Sequence, residues 1–244
     1  MRWIYLSPHL DDAVLSAGGL IYDQTRSGIP AEIWTFMCGY PPEGEYSPFA
    51  QTLHNMWGYS SAAEAVRERC EEDKNAAAMV GGATFYFDFL DCIYRRGSNG
   101  EWLYSEIAVP PHHADEALPS QIAEAISIRL LPGDVLVCQL AVGSHVDHVI
   151  VRQAAELLRR PIRYAIDVPY IFYRPQELEP KSAGMSESVH SVTGTGLSSW
   201  KEAVLEYKSQ IPTLGPVFDT PEKVHEAIQM YWSDRKGVRL FELG

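Results

Sequence analysis

The stretch RWIYLSPHLDDAVLSAGG, residues Arg2–Gly19, decides the fold that the sequence predicts. It opens with a short apolar run, Trp3–Leu6, whose length and β-rich composition are typical of a buried strand. The dipeptide Ser7-Pro8 interrupts this run, and a helical pattern follows from Ala13 to Ile21. A strand, a short loop and a helix in this order predict the first unit of an open α/β sheet.

The loop between this strand and this helix carries His9, Asp11 and Asp12. Ligands of open α/β sheets bind beyond the carboxyl ends of the strands, which is where these three side chains lie. Imidazole and carboxylate donors suit zinc or another first-row divalent ion. The alternative is structural: Asp11 or Asp12 caps the helix by accepting backbone N–H bonds, and His9 is an exposed loop residue.

A second stretch, Ser144–His148, repeats this placement, because it follows the apolar run Val135–Leu140 and precedes a predicted helix. Both stretches therefore lie at the same edge of the sheet. If His9, Asp12 and His148 share one ion, the first and fourth strands are neighbours, since ligand bonds are only ~2 Å long. We therefore predict a doubly wound, Rossmann-like, mostly parallel sheet with helices on both faces and the strand order 3-2-1-4-5.

Several motifs give the chain a family resemblance. The sequence Pro8–Asp12, PHLDD, resembles the His-Pro-Asp-Asp motif of the PIG-L (LmbE-like) zinc de-N-acetylases, and His145–His148, HVDH, resembles their His-Pro-Asp-His motif. Arg69 and Glu72 are similar to the family's Arg-x-x-Glu helix, and Tyr207–Gln210 resembles its Ser-Gln element. The motifs span almost the whole chain in the family's order.

The resemblance implies a zinc-dependent hydrolase that removes an acetyl group from an N-acetylated amino sugar, such as an N-acetylglucosaminyl conjugate. The expected metal ligands are His9, Asp12 and His148. The expected catalytic residues are Asp11 as general base, a protonated His145 that stabilises the oxyanion and protonates the leaving amine, and Asp147, which holds the His145 imidazole in its charged form. The expected substrate-binding residues are Arg69 and Asp91.

The chain departs from the family pattern at four positions. Ala13 replaces the glutamate that usually follows the paired aspartates, and Leu10 and Val146 replace the prolines of the two motifs. None of these changes removes a predicted ligand or the predicted base. Gly143 stands where some members have a tyrosine. Oxyanion stabilisation is then left to zinc and His145 alone, or to a tyrosine from a loop.

The amino-acid composition disfavours several classes of partner and location. A formal charge of -12 disfavours nucleic acid as a partner, because its phosphates require a basic surface. The four cysteines are widely spaced and predict buried free thiols. No apolar run reaches the ~20 residues that a membrane-spanning helix needs, so we expect a cytoplasmic protein without a membrane span. The expected partner is a small amino-sugar substrate, and homo-oligomer formation stays open.

The remaining pattern predicts a single domain over residues 1–244, with an α/β core over 1–168 and a C-terminal elaboration over 169–244. Two segments rich in Gly and Pro, Cys38–Ser60 and Asp91–Ala117, are interpreted as long loops. In the elaboration, Tyr170–Tyr173 is interpreted as a short strand and Val238–Leu243 as a last strand.

Three alternatives remain at this stage. The enzyme acts on another small amide, or the chain is a sugar-binding protein that keeps the fold without turnover. For Arg69 and Glu72, a surface ion pair of small energetic value is as compatible with the i, i+3 spacing as a substrate contact. A nucleotide-binding domain is disfavoured, because the first loop lacks the glycines of that fold.

Overall fold

The computed structural model describes residues 1–244 and contains one seven-stranded sheet in the order 3-2-1-4-5-7-6. The strands are β1 Trp3–Ser7, β2 Ala31–Thr35, β3 Ala83–Tyr86, β4 Val135–Gln139, β5 Ile162–Ala165, β6 Met185–Ser191 and β7 Gly237–Leu243. Strands β1 to β5 are parallel, and β7 runs antiparallel to both β5 and β6. The predicted fold class and the order 3-2-1-4-5 are confirmed.

Helices cover both faces of the sheet. They are α1 Asp12–Arg26, α2 Pro48–Trp57, α3 Ala62–Met79, α4 Leu118–Ser127, α5 Val146–Leu157, α6 Tyr170–Tyr173, α7 Leu178–Lys181, α8 Gly194–Val204 and α9 Pro221–Arg235. Successive side chains of β1 point to opposite faces, so Tyr5 packs into the core formed with α1, α3, α8 and α9, and Leu6 into the core formed with α4 and α5. Burial on both faces explains why the apolar run continues without alternation from Trp3 to Leu6. None of the helices combines the length and apolar character that crossing a bilayer requires.

Strands β1 and β4 are neighbours, with Trp3 opposite Val135 and Tyr5 opposite Val137. Strand β2 lies on the other side of β1, so the order reverses between β1 and β4. Because the two strands are parallel, the loops after their carboxyl ends lie side by side at this switch point. The two histidine-containing stretches are therefore adjacent in space.

The segment Cys38–Ser60 is not the plain loop that its glycines and prolines predict, because it contains α2. The Ser47 hydroxyl caps this helix by accepting a hydrogen bond from Ala50 N at 2.9 Å, and Pro48 occupies the first helical position. Gly58, with φ of 79°, ends the helix in a left-handed conformation. These residues are helix boundaries, which the composition alone does not distinguish from a loop.

The interpretation of Tyr170–Tyr173 as a strand is wrong. These residues form α6, in which Arg174 N donates to the Tyr170 carbonyl at 2.8 Å. The sheet position beside β5 is filled instead by β7, as expected for a last strand near Val238–Leu243. All four cysteines are free thiols, and three of them are buried.

Candidate active site

The carboxylate of Asp12, at the start of α1, joins the two predicted motifs. Its Oδ2 atom lies 3.3 Å from His9 Nδ1 and 3.3 Å from His148 Nε2. The same oxygen accepts a hydrogen bond from the His9 backbone N–H at 2.8 Å, which fixes the loop around the carboxylate. All three side chains are buried, so the interpretation of His9 as an exposed loop residue is wrong.

A second carboxylate orients each of these histidines. His9 Nε2 lies 3.0 Å from Asp147 Oδ2, and His148 Nδ1 lies 2.8 Å from Asp167 Oδ1. Each imidazole therefore faces Asp12 with one nitrogen and a buried aspartate with the other. Histidines that bind metals are oriented in this way, because the outer carboxylate fixes the tautomer and leaves a lone pair directed at the ion.

The donor atoms suit a divalent metal ion. His148 Nε2 is buried without a hydrogen-bond partner, although it lies 3.3 Å from Asp12 Oδ2. Two ligand bonds of ~2.0 Å at a tetrahedral angle separate their donor atoms by ~3.3 Å, which matches both Asp12 distances. Nitrogens of His9, His145 and His148 also lie within 4.8 Å of one another. The arrangement could hold zinc or another first-row ion.

Asp147 does not contact His145 as predicted. Its carboxylate lies against His9 and also forms an ion pair with Arg95, whose Nη1 is 2.6 Å from Asp147 Oδ1. His145 precedes α5 as its cap residue, and its Nδ1 accepts a hydrogen bond from the Asp147 backbone N–H at 3.2 Å. Since the ring of His145 is directed at the helix backbone, the Asp147 carboxylate is free to orient His9.

Arg95 and the backbone around it make the Asp147 pocket strongly polar. Cys92 N donates to Asp147 Oδ2 at 3.0 Å, and Arg95 Nε lies 2.9 Å from Asp115. Burial alone would raise the pKa of Asp147, but the charge of Arg95 and the hydrogen bond from His9 hold that pKa below its usual range. Asp147 is therefore ionised throughout the physiological pH range.

Asp11 lies beside Asp12 in the same cavity. Burial and the neighbouring charge of Asp12 raise the pKa of Asp11 to about 6, although the charge of Arg69 opposes the shift. Asp11 makes no side-chain capping bond to α1, so the capping interpretation is wrong for this residue. A carboxyl group with a pKa near neutrality can both accept and return a proton.

Arg69 contacts Asp11 and not Glu72. Its side chain is buried, Nη2 lies 3.6 Å from Asp11 Oδ2, and the guanidinium lies over the ring of Trp57 at 4.9 Å. Glu72 instead accepts hydrogen bonds from the backbone N–H and the hydroxyl of Ser209 at 2.8 and 2.7 Å. The interpretation of Arg69 and Glu72 as a surface ion pair is therefore wrong.

The imidazole of His145 lies against the other two, with ring centroids 4.6 Å from His9 and 5.0 Å from His148. In the metal-free protein, burial and the charges of the protonated His9 and His148 lower the pKa of His145 well below its usual value, so its neutral form is favoured. This differs from the predicted protonated form. Since Nδ1 accepts from the Asp147 backbone, the proton of neutral His145 is assigned to Nε2.

These side chains open into a cavity of about 300 Å³. Asp91 lines it, with Oδ2 at 3.8 Å from His9 Nε2, and its other carboxylate oxygen accepts from Ile93 N at 3.1 Å. Helix α2 and the segment after α8 supply mainly apolar walls. These wall residues are Phe49, Leu53, Met56, Trp57, Gln210, Thr213 and Leu214. The predicted site residues lie in or directly behind this one cavity.

Asp167 and the pairing of Arg95 with Asp147 were not predicted from the sequence. Asp167 had a recognisable signal, because it directly follows the predicted strand ending at Ile166 and so lies at the same sheet edge as the two motifs. Arg95 had none, since it comes from a long irregular segment whose path across the sheet edge depends on tertiary packing.

Comparison with known proteins agrees with this geometry. The profile of the family described as PIG-L, GlcNAc-PI de-N-acetylase, matches residues 4–158. The zinc-inhibited form of teicoplanin deacetylase Orf2 is 29% identical, with a TM-score of 0.86, over 99% of this chain and 97% of that chain. The A40926 pseudoaglycone deacetylase Dbv21 is 28% identical, with a TM-score of 0.77, over 99% of this chain and 96% of that chain.

A more distant structure shares the fold alone. The N,N'-diacetylchitobiose deacetylase from Pyrococcus horikoshii is 14% identical, with a TM-score of 0.58, over 98% of this chain and 81% of that chain. No curated protein matches the chain in sequence.

Proposed function

The chain belongs to the PIG-L family, and from this premise we propose that it is a metal-dependent hydrolase that removes an acetyl group from an N-acetylated amino sugar. The observation that carries the proposal is the Asp12 carboxylate, which lies 3.3 Å from a nitrogen of both His9 and His148. The carboxylate of Asp11 lies beside it in the same cavity and is paired with Arg69 at 3.6 Å. Metal ligands and a free base are the parts that amide hydrolysis requires.

His9, Asp12 and His148 are the proposed metal ligands, with zinc as the expected ion and another first-row divalent ion as the alternative. When bound, the ion would polarise the amide carbonyl and lower the pKa of water. Asp147 and Asp167 orient the two imidazoles by contacting the ring nitrogens that face away from Asp12. In this proposal Asp147 is a positioning residue that acts through His9.

Asp11 is the proposed general base, which accepts the proton of the attacking water. The carboxylic acid formed in this way can then return that proton to the leaving amine. His145 was expected to protonate the amine, but its lowered pKa disfavours the charged form that this role needs. We therefore assign to His145 an Nε2–H donor directed at the carbonyl oxygen, where negative charge develops.

Arg69 and Asp91 are proposed to bind the sugar, since both line the cavity next to the predicted base. Two of the similar structures are deacetylases, one in the biosynthesis pathway of teicoplanin and the other of A40926 pseudoaglycone. An amino sugar carried on a larger conjugate is therefore the proposed substrate class. The apolar wall of α2 supports this class, because it would pack against a conjugate's apolar part.

We also propose that residues 1–244 act as one domain. Tyr207 and Trp200, from the C-terminal elaboration, pack in the same core as Val14 and Leu20 of α1. The Trp200 indole N–H also donates to the Val14 carbonyl at 2.7 Å. This hydrogen bond links the elaboration to α1, the helix that carries Asp12.

Acetate released from N-acetylglucosaminyl conjugates by the zinc-loaded protein tests the function. Asp11→Asn should lower kcat by roughly 10²- to 10⁴-fold while zinc content stays unchanged, because the variant loses the base but keeps the ligands. The matched control is Asp234→Asn on the exposed end of α9, which should behave like wild type. Full activity in Asp11→Asn would exclude the assigned base, and no acetate from any such conjugate would contradict the proposed function.

A further inference from the structure

Gln210 is a buried polar residue in the wall of the proposed active-site cavity. It is only 4% exposed, and it belongs to the segment after α8 that lines the cavity. Its backbone is fixed on both sides, because Gln210 N donates to the Tyr207 carbonyl at 3.0 Å and the Gln210 carbonyl accepts from Thr213 N at 2.7 Å. The protein itself therefore sets the position of this side chain.

A chain of hydrogen bonds connects the amide group of Gln210 to α3. Gln210 Nε2 donates to the Ser209 hydroxyl oxygen at 2.8 Å, and the Ser209 hydroxyl donates to Glu72 Oε2 at 2.7 Å. The other carboxylate oxygen of Glu72 accepts from the Ser209 backbone N–H at 2.8 Å. Both oxygens of Glu72 therefore hold Ser209, which comes from the C-terminal elaboration.

Glu72 determines which way the amide group of Gln210 is turned. A carboxylate only accepts hydrogen bonds, so the proton of the Ser209 hydroxyl points to Glu72. The Ser209 oxygen is then an acceptor, and only the NH2 group of the Gln210 amide can donate to it. The flipped orientation is excluded, because the amide oxygen of Gln210 would then face the oxygen of Ser209 with no proton between them.

The amide oxygen of Gln210 is left without a partner. Oε1 accepts no hydrogen bond from the protein, whereas Nε2 is bonded to Ser209, and Oε1 is not fully enclosed. Because Gln210 is otherwise buried and lines the cavity, the open side of this oxygen is the cavity. Polar groups in protein interiors are nearly always paired, so a fixed acceptor at this wall is suited to a donor on a bound ligand.

We propose that Gln210 binds the substrate by accepting a hydrogen bond from a hydroxyl group of the amino sugar. Glu72 and Ser209 are positioning residues, because they turn the amide so that its oxygen faces the cavity. The sugar supplies the hydroxyl donors that this acceptor requires, and the apolar side chains of α2 cannot pair with them. This assignment rests on the proposed function, because it names a further binding residue for the same substrate.

Gln210→Ala tests the contact, since it removes the acceptor and keeps the proposed metal ligands and base. We expect KM for methyl N-acetylglucosaminide to rise about 3- to 10-fold with kcat nearly unchanged, because a bond to a non-reacting hydroxyl stabilises the ground state and the transition state alike. The control is Gln229→Ala on α9, whose amide contacts Lys201 and does not line the cavity. An unchanged KM in Gln210→Ala would remove this residue from the binding site.

Glu72→Ala should raise KM to a similar extent, because the Ser209 hydroxyl can then turn and the Gln210 amide loses its fixed orientation. Combining it with Gln210→Ala should add no further rise, since both changes remove the same contact. The conservative variant Glu72→Gln keeps an acceptor for the Ser209 hydroxyl and should recover part of the loss. Additive effects in the double variant would exclude a role of Glu72 through Gln210.

Analogues of methyl N-acetylglucosaminide that each lack one hydroxyl group identify the partner of Gln210. Wild type should bind one analogue about 3- to 10-fold more weakly than the parent sugar, and Gln210→Ala should bind the two equally. Dissociation constants from calorimetry provide this comparison without turnover. The role of Gln210 is overturned if the variant discriminates among the analogues as wild type does, or if no sugar binds. Discrimination that depends on Gln210, in a protein that releases no acetate, would instead contradict the proposed function.

Discussion

The two histidine-carboxylate pairs, His9 with Asp147 and His148 with Asp167, make the same kind of contact in different surroundings. In both pairs the carboxylate lies within 3.0 Å of the imidazole nitrogen that faces away from Asp12. Asp147 also pairs with the buried guanidinium of Arg95, whereas the other oxygen of Asp167 accepts only the backbone N–H of Val142.

Because of this difference, the pKa values of the two carboxylates shift in opposite directions. Burial raises the pKa of Asp167, because the hydrogen bond and charge of His148 offset it only in part. For Asp147 the added charge of Arg95 outweighs burial, so its pKa falls below the usual range. Asp147 therefore contacts its histidine as part of a network of charged groups, whereas Asp167 and its histidine form a nearly isolated pair.

The largest expected effect is that of Asp147→Ala. It leaves the buried guanidinium of Arg95 without one of its two carboxylate partners, so the free energy of unfolding should fall by about 3–5 kcal/mol in urea denaturation. The double variant Asp147→Ala/Arg95→Met should recover part of this loss, because it also removes the unpaired charge. A loss below about 1 kcal/mol in the single variant would mean that the charge network contributes little to folding.

Asp167→Ala should have a smaller effect on folding. No buried arginine loses its partner, and the cost of about 1–3 kcal/mol is that of leaving His148 Nδ1 and the Val142 N–H unpaired. Zinc affinity should fall by roughly 10- to 100-fold, since the imidazole is no longer oriented. The conservative variant Asp167→Asn should retain most of the stability. A loss of stability equal to that of Asp147→Ala would show that the two sides of the site do not differ.

The smallest effect is a difference in pH dependence, measured on the metal-free protein. The folded-state pKa of Asp147 is lowered, so its stabilisation is present above the unfolded pKa of about 3.9 and is lost as the pH falls below it. The pKa of Asp167 is raised, so wild type gains stability relative to Asp167→Asn as the pH falls from 7 toward 4. As the pH falls, the stabilisation by Asp147 should therefore decrease, whereas the stability of wild type relative to Asp167→Asn should increase. A pKa displaced by one unit corresponds to about 1.4 kcal/mol. Parallel changes would contradict the assigned networks.

Much of the fold and the centre of the site could be predicted because their signals are local. The apolar run Trp3–Leu6, the break at Ser7-Pro8 and the helical pattern after Asp12 lie within eighteen residues, and the second motif repeats them. Two such units at one sheet edge constrain the strand order, so His9 and His148 could be expected to meet.

The rest depends on contacts between distant segments. Asp147 was expected to hold His145, but the backbone at the start of α5 binds that ring, and the carboxylate turns to His9 instead. Arg95 comes from an irregular segment whose path depends on packing against distant parts of the chain. Ring orientation and loop path are set by tertiary packing, which residue spacing does not encode.

The most direct test of the central claim is the metal content of the purified protein by elemental analysis, beside His148→Ala and the control His225→Ala on the surface of α9. The proposed site predicts about one divalent ion per chain in wild type and His225→Ala, and a loss of the ion in His148→Ala. No metal in wild type after incubation with zinc, or unchanged metal in His148→Ala, would contradict the assignment of His9, Asp12 and His148 as ligands.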